Sequence, residues 1–144
     1  MSKARTQGAR SRARELAVQA LYQQQITDHS SAELLAQFHE RPDYAGVDQA
    51  YFDSVLGGVC DQRSELQELI AGIADRPIAQ LDPVEMAILL LGFHELAEKP
   101  DVPFRVIINE SVNLAKRFGA VDGHKYINAV LDRAVAQLRP DENA

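Results

Sequence analysis

The chain has 144 residues, of which 46% are hydrophobic and 25% are charged, so it can form one globular domain with a sizeable core. No apolar run is long enough to span a membrane, and the basic N-terminal segment lacks the apolar core of a secretory signal. Cys60 is the only cysteine, which excludes an intrachain disulfide and agrees with a reducing compartment, so we expect a cytoplasmic protein.

Charge is distributed unevenly along the sequence. The formal net charge is −6, from 15 lysines and arginines against 21 aspartates and glutamates. Five cations precede the first acid, Glu15, which leaves ten cations against 21 acids, or −11, in the rest of the chain. These cations are Lys3, Arg5, Arg10, Arg12 and Arg14. An acidic body repels polyanions and would confine nucleic acid to this segment and to local basic patches, whereas the alternative is a solvated tail without a partner.

The first half of the chain predicts three helices. The first begins near Arg10 and ends near Thr27, with an inward stripe of leucines and alanines. Ser30 and Glu33 form a capping box that opens a second helix, which closes before the next proline. The third contains Gly57-Gly58, which costs helix propensity and which we interpret as a sign of close helix packing.

The second half predicts four more helices, and the second of these has the clearest start in the chain. Asp82 is its predicted cap, and Pro83 occupies the first helical position. Its residues are apolar nearly all round as far as Leu96, which indicates burial on most sides or one face offered to a partner. In the connection between the last two helices, we predict a left-handed Gly119 and a capping Asp122.

No segment shows the alternation of a β-strand, so the sequence predicts an all-α fold of about seven helices in a single compact domain. We expect a flexible basic N-terminal arm at residues 1–9, the helical domain at residues 10–139 and a C-terminal tail at residues 140–144.

The sequence contains no strong catalytic constellation. His94-Glu95 lacks the second histidine of a zinc protease helix, the four histidines fall in four segments, and one cysteine makes no thiolate cluster. We therefore predict no enzyme activity, no metal and no cofactor. Asn109 and Asn128 lie inside predicted helices, where asparagine is a poor helix former, and we favour amides that bond across helices inside the bundle.

Cations, aromatic rings and other polar groups lie close together in the sequence around the connection between the last two predicted helices. Phosphate neutralisation and a stacking surface are what single-stranded RNA requires. The alternative is that Lys116 and Arg117 merely complement the dipole at a helix C-terminus. The residues concerned are Lys116, Arg117, Phe118, Asp122, His124, Lys125 and Tyr126.

Three stretches carry a family resemblance. The first reads RARELAVQALY from Arg12 to Tyr22, and the second reads LDPVEMAILLLGFHEL from Leu81 to Leu96. The third reads VIINESVNLAKRFG from Val106 to Gly119 and continues with KYINAVLD from Lys125 to Asp132. They resemble the opening helix, the central buried helix and the C-terminal signature of the NusB family, in the right order and over nearly the whole chain.

The resemblance implies a small helical factor of bacterial transcription. Such factors pair with NusE, a small-subunit ribosomal protein, bind boxA RNA of ribosomal operon leaders and support antitermination by RNA polymerase. The same fold occurs as an RNA-binding domain of rRNA methyltransferases, but the chain leaves no residues for a methyltransferase domain.

The resemblance also implies particular contact residues. For NusE it suggests Glu85 and its neighbours on the central helix. Ser11 stands where many relatives have another arginine, so the basic segment is less dense here. The RNA contacts implied are Arg10, Arg12, Arg14, Tyr22, Asp122, Lys125 and Tyr126.

We expect the N-terminal arginines and the last turn to form one RNA surface, in which the Tyr126 ring stacks on an unpaired base and Asp122 limits affinity by repulsion. Three alternatives stay open. The first is a protein-binding helical module whose N-terminal arm is only a solvated tail. The second is a stand-alone relative of the RNA-binding domain of rRNA methyltransferases, and the third is an enzyme with an unrecognised site.

Overall fold

The computed structural model describes the backbone of residues 3–143 and the side chains of residues 8–142. Eight α-helices and two short 3₁₀ helices, with no strand among these residues, confirm the predicted all-α fold. The α-helices are α1 (Lys3–Thr27), α2 (Ser31–His39), α3 (Gln49–Asp61), α4 (Arg63–Ile73), α5 (Pro83–Glu98), α6 (Phe104–Phe118), α7 (Gly123–Leu138) and α8 (Pro140–Asn143). The 3₁₀ helices are Pro42–Gly46 and Ile78–Gln80.

Helix α1 begins at Lys3, earlier than the start predicted near Arg10. The residues upstream are mostly alanine, arginine and glutamine, which favour helix, and no proline interrupts them, so the helix extends through Gly8. The backbone of residues 3–9 is therefore helical in the segment predicted as an arm, while Met1 and Ser2 lie outside the described residues. The flexibility of the arm stays a prediction.

The helices fall into two compact units, and the first ends at Asp61. Within it α1 and α2 both pack against α3. The rings of Phe38 and Phe52 stack in its core with centroids 6.1 Å apart. The predicted capping box of α2 is confirmed, because the Ser30 and Glu33 side chains each accept the other's backbone N–H at 3.2 Å.

Helix α5 lies at the centre of the second unit, which begins at Gln62, and packs against α4, α6 and α7. Every residue from Glu85 to Leu96 is buried, which confirms the predicted burial on most sides. The predicted cap is also confirmed, since Asp82 Oδ1 accepts the Glu85 N–H at 2.9 Å. The single domain predicted over residues 10–139 stays a prediction beside this division into two units.

Two predictions for the connection between α6 and α7 are wrong. Gly119 is extended, with φ −93° and ψ 179°, and is needed for space, because an added Cβ would lie 2.7 Å from the Ala115 carbonyl oxygen. Asp122 has φ −110° and ψ 8°, and its carboxylate caps no N–H in the described part of the chain. Its Oδ1 lies instead 3.4 Å from Lys125 Nζ, because the exposed ammonium attracts the carboxylate.

A buried arginine fixes the end of α5 and its connection to α6. The Arg139 guanidinium donates to four backbone carbonyls and to the Glu142 carboxylate, at 2.7 Å. These carbonyls belong to Glu95, Leu96, Lys99 and Val102, at 2.6 to 3.1 Å. The carbonyls of Glu95 and Lys99 also accept the backbone N–H groups of Lys99 and Val102, at 3.0 Å, so Arg139 is a second donor to them. To Leu96, in the last turn of α5, Arg139 supplies a donor where helix carbonyls lack a partner within the helix. We call this arrangement the Arg139 latch.

The short helix α8 differs from the C-terminal tail predicted at residues 140–144, of which Ala144 lies outside the described residues. Glu142 in this helix also accepts the Phe104 N–H at the start of α6, at 3.1 Å. Sequence periodicity could not show this, because the anchoring contacts of Arg139 and Glu142 reach 37 to 44 residues back along the chain.

Candidate nucleic-acid interface

Three arginines of α1 lie at the 42–51 segment of the first unit, and we call them the arginine cluster: Arg10, Arg12 and Arg14. Residues four apart share a helix face, so Arg10 and Arg14 reach the same ring. Their guanidinium carbons lie 4.3 Å and 5.3 Å from the Tyr51 ring centroid. Arg12 faces elsewhere and donates from Nε to the Gly46 carbonyl at 2.9 Å. The cluster is therefore held by the first unit and does not hang free.

The three arginines differ in solvent exposure, and therefore in whether their guanidinium groups can contact RNA. Arg12 is exposed, and the Arg10 side chain is 39% exposed, so both can reach a phosphate. Arg14 is only 2% exposed, which corrects the expectation that it offers its guanidinium to RNA. The burial of Arg14 follows from its place on the inward stripe of α1, beside Ala13 and Ala17.

Asp48 links Arg10 to the start of α3. Its Oδ1 accepts the Tyr51 N–H at 3.1 Å, and its own N–H donates to the Ala9 carbonyl at 3.0 Å. Its second carboxylate oxygen lies 3.6 Å from Arg10 Nε. An arriving phosphate would therefore compete with a carboxylate that already has other partners.

Tyr22 lies farther along α1 and is 40% exposed, which settles whether its side chain is accessible. Ile26, one turn later, is 60% exposed. Two apolar side chains at this spacing form an exposed pair on one helix face. Such a pair suits either a nucleobase or the apolar surface of a protein.

The second set of candidate residues lies at the start of α7. Asp122 and Lys125 are exposed over 75% and 73% of their side chains. Tyr126 is half-buried, and its hydroxyl is buried without a hydrogen bond to any residue that the structure describes. Burial raises the pKa of the Tyr126 hydroxyl, so it stays protonated at neutral pH.

Arg76, which the sequence patterns missed, covers the Tyr126 ring. Its guanidinium carbon lies 3.8 Å from the ring centroid, and its Nη1 lies 3.9 Å from Glu85 Oε2. Arg76 stands in the connection between α4 and α5, where no periodicity indicates which way a side chain points. The only signal was a charged Asp75-Arg76 pair ahead of Pro77. We call Arg76, Glu85 and Tyr126 the stacked cluster.

Glu85 is 7% exposed, which leaves its carboxylate little surface to offer a partner. Burial, followed by the negative charge of Asp82, raises the pKa of Glu85, and Arg76 acts in the opposite direction. Gly123, the first residue of α7, lies so close that an added Cβ would be 3.4 Å from Glu85 Oε1. Glu85 therefore lies between the start of α5 and the start of α7, and its carboxylate attracts the Arg76 guanidinium.

A groove of mixed polar and apolar lining runs beside Lys125 between α6 and α7. The prediction that Asn109 and Asn128 are buried is wrong, because both amides are exposed and line this groove. Each of the two asparagines directly follows a buried residue of its helix. Because one residue turns a helix by 100°, the two amides point away from the core. The other lining residues are Ile108, Val112, His124 and Lys125.

Other candidate residues do not join these groups. Lys116 and Arg117 are exposed in the last turn of α6, as the dipole interpretation expects. Among the side chains that the structure describes, no three histidine, cysteine, aspartate or glutamate residues come together as a metal site. No helix in the described ranges is long and apolar enough to cross a membrane.

Comparison with known proteins shows which family this arrangement of helices belongs to. The model of the NusB family matches residues 11–136. The transcription antitermination protein NusB of Shewanella halifaxensis (strain HAW-EB4) is 48% identical over 130 residues, covering 90% of this chain and 96% of that protein. The corresponding protein of Halorhodospira halophila (strain DSM 244 / SL1) is 50% identical over 135 residues, covering 92% and 86%.

A solved structure of T. maritima NusB has the same fold, with a TM-score of 0.81 and 25% identity, covering 92% of this chain and 95% of that one. The fold is thus that of a small all-helical class whose similar members bear the name of transcription antitermination proteins. The chain belongs to the NusB family.

Proposed function

We propose that the chain is a transcription antitermination factor that binds boxA-type RNA of ribosomal operon leaders together with NusE and supports the processivity of RNA polymerase. The observation that carries the proposal is the position of accessible cations beside aromatic rings in a chain of net charge −6: Arg10 beside Tyr51 and Arg76 beside Tyr126, with Lys125 exposed at the position before Tyr126. Such pairing supplies phosphate neutralisation and stacking where the remaining charge repels RNA.

The residues take different parts in this proposal. Arg10, Arg12 and Lys125 contact phosphates, because they are the accessible cations of the two groups. Arg14 is a positioning residue, because it is buried beside Tyr51. Tyr22 offers an exposed ring, and the acid Asp122 repels the RNA backbone.

NusE is the proposed protein partner, and a role in transcription places the complex in the cytoplasm. The exposed pair Tyr22 and Ile26 supports a protein contact on α1. Glu85 contributes by holding Arg76 rather than by direct contact, since its carboxylate is buried.

Binding of a labelled boxA RNA and of a scrambled RNA, with and without NusE, tests the proposal by fluorescence anisotropy at two salt concentrations. We expect preference for boxA, tighter binding with NusE, and a weaker salt dependence for Arg12→Gln by about 0.7 in slope. Arg41→Gln is the matched control, since Arg41 pairs with Asp43 at 2.8 Å in the same unit.

Binding of NusE without any binding of RNA would instead favour the protein-binding helical module. The exposed Tyr22 and Ile26 pair is the observation that keeps this second function in view.

A further inference from the structure

The stacked cluster leaves part of the Arg76 side chain exposed to solvent. Arg76 lies 3.8 Å above the Tyr126 centroid, which is stacking distance, and its side chain remains 40% exposed. The guanidinium therefore lies against the ring, while 40% of the Arg76 side chain remains open to solvent.

This contact changes what the Tyr126 ring can do. A nucleobase can stack on the covered face of the Tyr126 ring only if it displaces Arg76. The buried Glu85 carboxylate, 3.9 Å from the Arg76 guanidinium, opposes that displacement. Removing Arg76 would leave the Glu85 carboxylate buried without this partner, which is costly. The ring is thus better suited to support Arg76 than to receive the base itself.

Arginine suits the outer position for two reasons. Its guanidinium is planar, so unpaired bases stack on it as they do on aromatic rings. Its N–H groups lie in that plane and remain able to donate to a phosphate while the plane is stacked. Lysine has the same charge but no plane, which gives a matched substitution.

We propose that Arg76 is an RNA-stacking residue, on whose outer guanidinium face an unpaired base lies, in the order Tyr126, Arg76, base. Glu85 is its positioning residue. The inference rests on the proposed RNA binding, and it names the part of the nucleic acid, a single-stranded base, that the cluster takes.

The test uses boxA RNA that carries 2-aminopurine at one unpaired position at a time, since stacking quenches this fluorophore. The full-length chain should quench it at one position. Arg76→Lys should abolish that quenching and weaken binding roughly five- to 150-fold, with the salt slope unchanged, because charge stays and the plane is lost. Arg105→Lys, at an exposed arginine whose guanidinium carbon lies 5.5 Å from the Phe104 ring centroid outside the stacked cluster, should behave like the original chain within about twofold.

The outcomes separate the two proposals. If the unaltered chain binds no RNA, the proposed function and this inference both fall. If it binds but Arg76→Lys keeps both the affinity and the quenching, only the inference is overturned. Tighter binding or stronger quenching for Arg76→Ala also overturns it, because the base would then use the Tyr126 ring directly. Circular dichroism checks the fold of each variant.

Discussion

Asp122 and Lys125 form an exposed ion pair at the start of α7, with 3.4 Å between Oδ1 and Nζ. Exposed pairs of this kind contribute about 0–1 kcal/mol to stability, so the carboxylate is dispensable for the fold. It is nevertheless a negative charge beside the lysine that we assign to phosphate binding. Under the proposed RNA binding, the pair therefore matters more for RNA affinity than for the stability of the fold.

Asp122→Asn should leave RNA binding unchanged or tighter, because it removes repulsion and frees Lys125. Fluorescence anisotropy measures the change, and Asp132→Asn, at an exposed acid farther along α7, is the control for net charge. Weaker binding by Asp122→Asn alone would show that the carboxylate contacts the RNA, contrary to the repulsive role.

His94 illustrates a buried polar side chain with incomplete hydrogen bonding. It is 3% exposed, its Nδ1 lies 3.3 Å from Gln62 Oε1, and its Nε2 has no hydrogen-bond partner among the described residues. Burial, followed by the positive charge of Lys99, lowers the pKa of His94 from 6.5, while Glu98 acts in the opposite direction. The folded chain therefore holds the imidazole neutral.

Stability should fall as the pH drops below 6.5, because the unfolded chain then binds a proton that folded His94 refuses until its own lower pKa is reached. Urea unfolding at pH 7.5 and 5.5 measures the loss. His94→Gln should show a smaller loss over the same interval. An equal loss in both proteins would assign the pH dependence to other groups.

At the scale of elements, the Arg139 latch joins α5, α6 and α8 within the second unit. Arg139→Ala should destabilise the chain by about 3 kcal/mol or more, because it removes the hydrogen bonds of a buried guanidinium to four carbonyls and to Glu142. Urea denaturation measures this, and Arg133→Ala, at an exposed position of α7, should change stability by less than about 0.5 kcal/mol. Equal effects of the two substitutions would contradict the latch.

Two glycines give a matched pair of element-scale substitutions. A Cβ at Gly57 would meet no described atom within 4 Å beyond its own helix backbone and chain neighbours, so the interpretation of close helix packing at Gly57 is wrong. Gly57→Ala should therefore stabilise α3 by about 0.5–1 kcal/mol. Gly119→Ala should destabilise by about 1–3 kcal/mol, because of the 2.7 Å approach to the Ala115 oxygen. Thermal unfolding distinguishes the two signs.

Local chemistry decided which parts of the fold could be predicted. The starts of α2 and α5 follow from Ser30 and Asp82, whose bonds reach only three residues along the chain. The conformation of Gly119 depends on neighbouring backbone, and the pairing of the Asp122 carboxylate depends on Lys125, and helix propensity includes neither. In the candidate site, the sequence motifs indicated Lys125 and Tyr126. They did not indicate Arg76, which covers the Tyr126 ring, because it lies in the connection between α4 and α5, where no periodicity shows the direction of a side chain.

At the scale of the whole molecule, charge is the property on which the proposed RNA binding depends most. Deleting residues 1–8 changes the formal net charge from −6 to −8, because Lys3 and Arg5 are lost, and keeps the Ala9 carbonyl that accepts the Asp48 N–H. Binding to all RNAs should weaken, and the salt slope should fall by up to about 1.4. NusE binding should not change.

The double substitution of Lys3→Gln and Arg5→Gln serves as the control for this deletion, since it removes the same charge and keeps the chain length. It should reproduce the deletion in an anisotropy titration. An unchanged salt slope in both variants would show that these two cations contact no phosphate.

The Arg139 latch also bears on how the chain is made. Translation proceeds from the N-terminus, so each backbone carbonyl that Arg139 binds leaves the ribosome before the guanidinium does, by up to 44 residues. At about 5–20 residues per second, the corner between α5 and α6 waits about 2 to 9 s for its donors. During that interval these carbonyls lack the hydrogen bonds that the guanidinium later donates. A nascent chain stalled ahead of Arg139 is therefore expected to remain open to proteases at this corner.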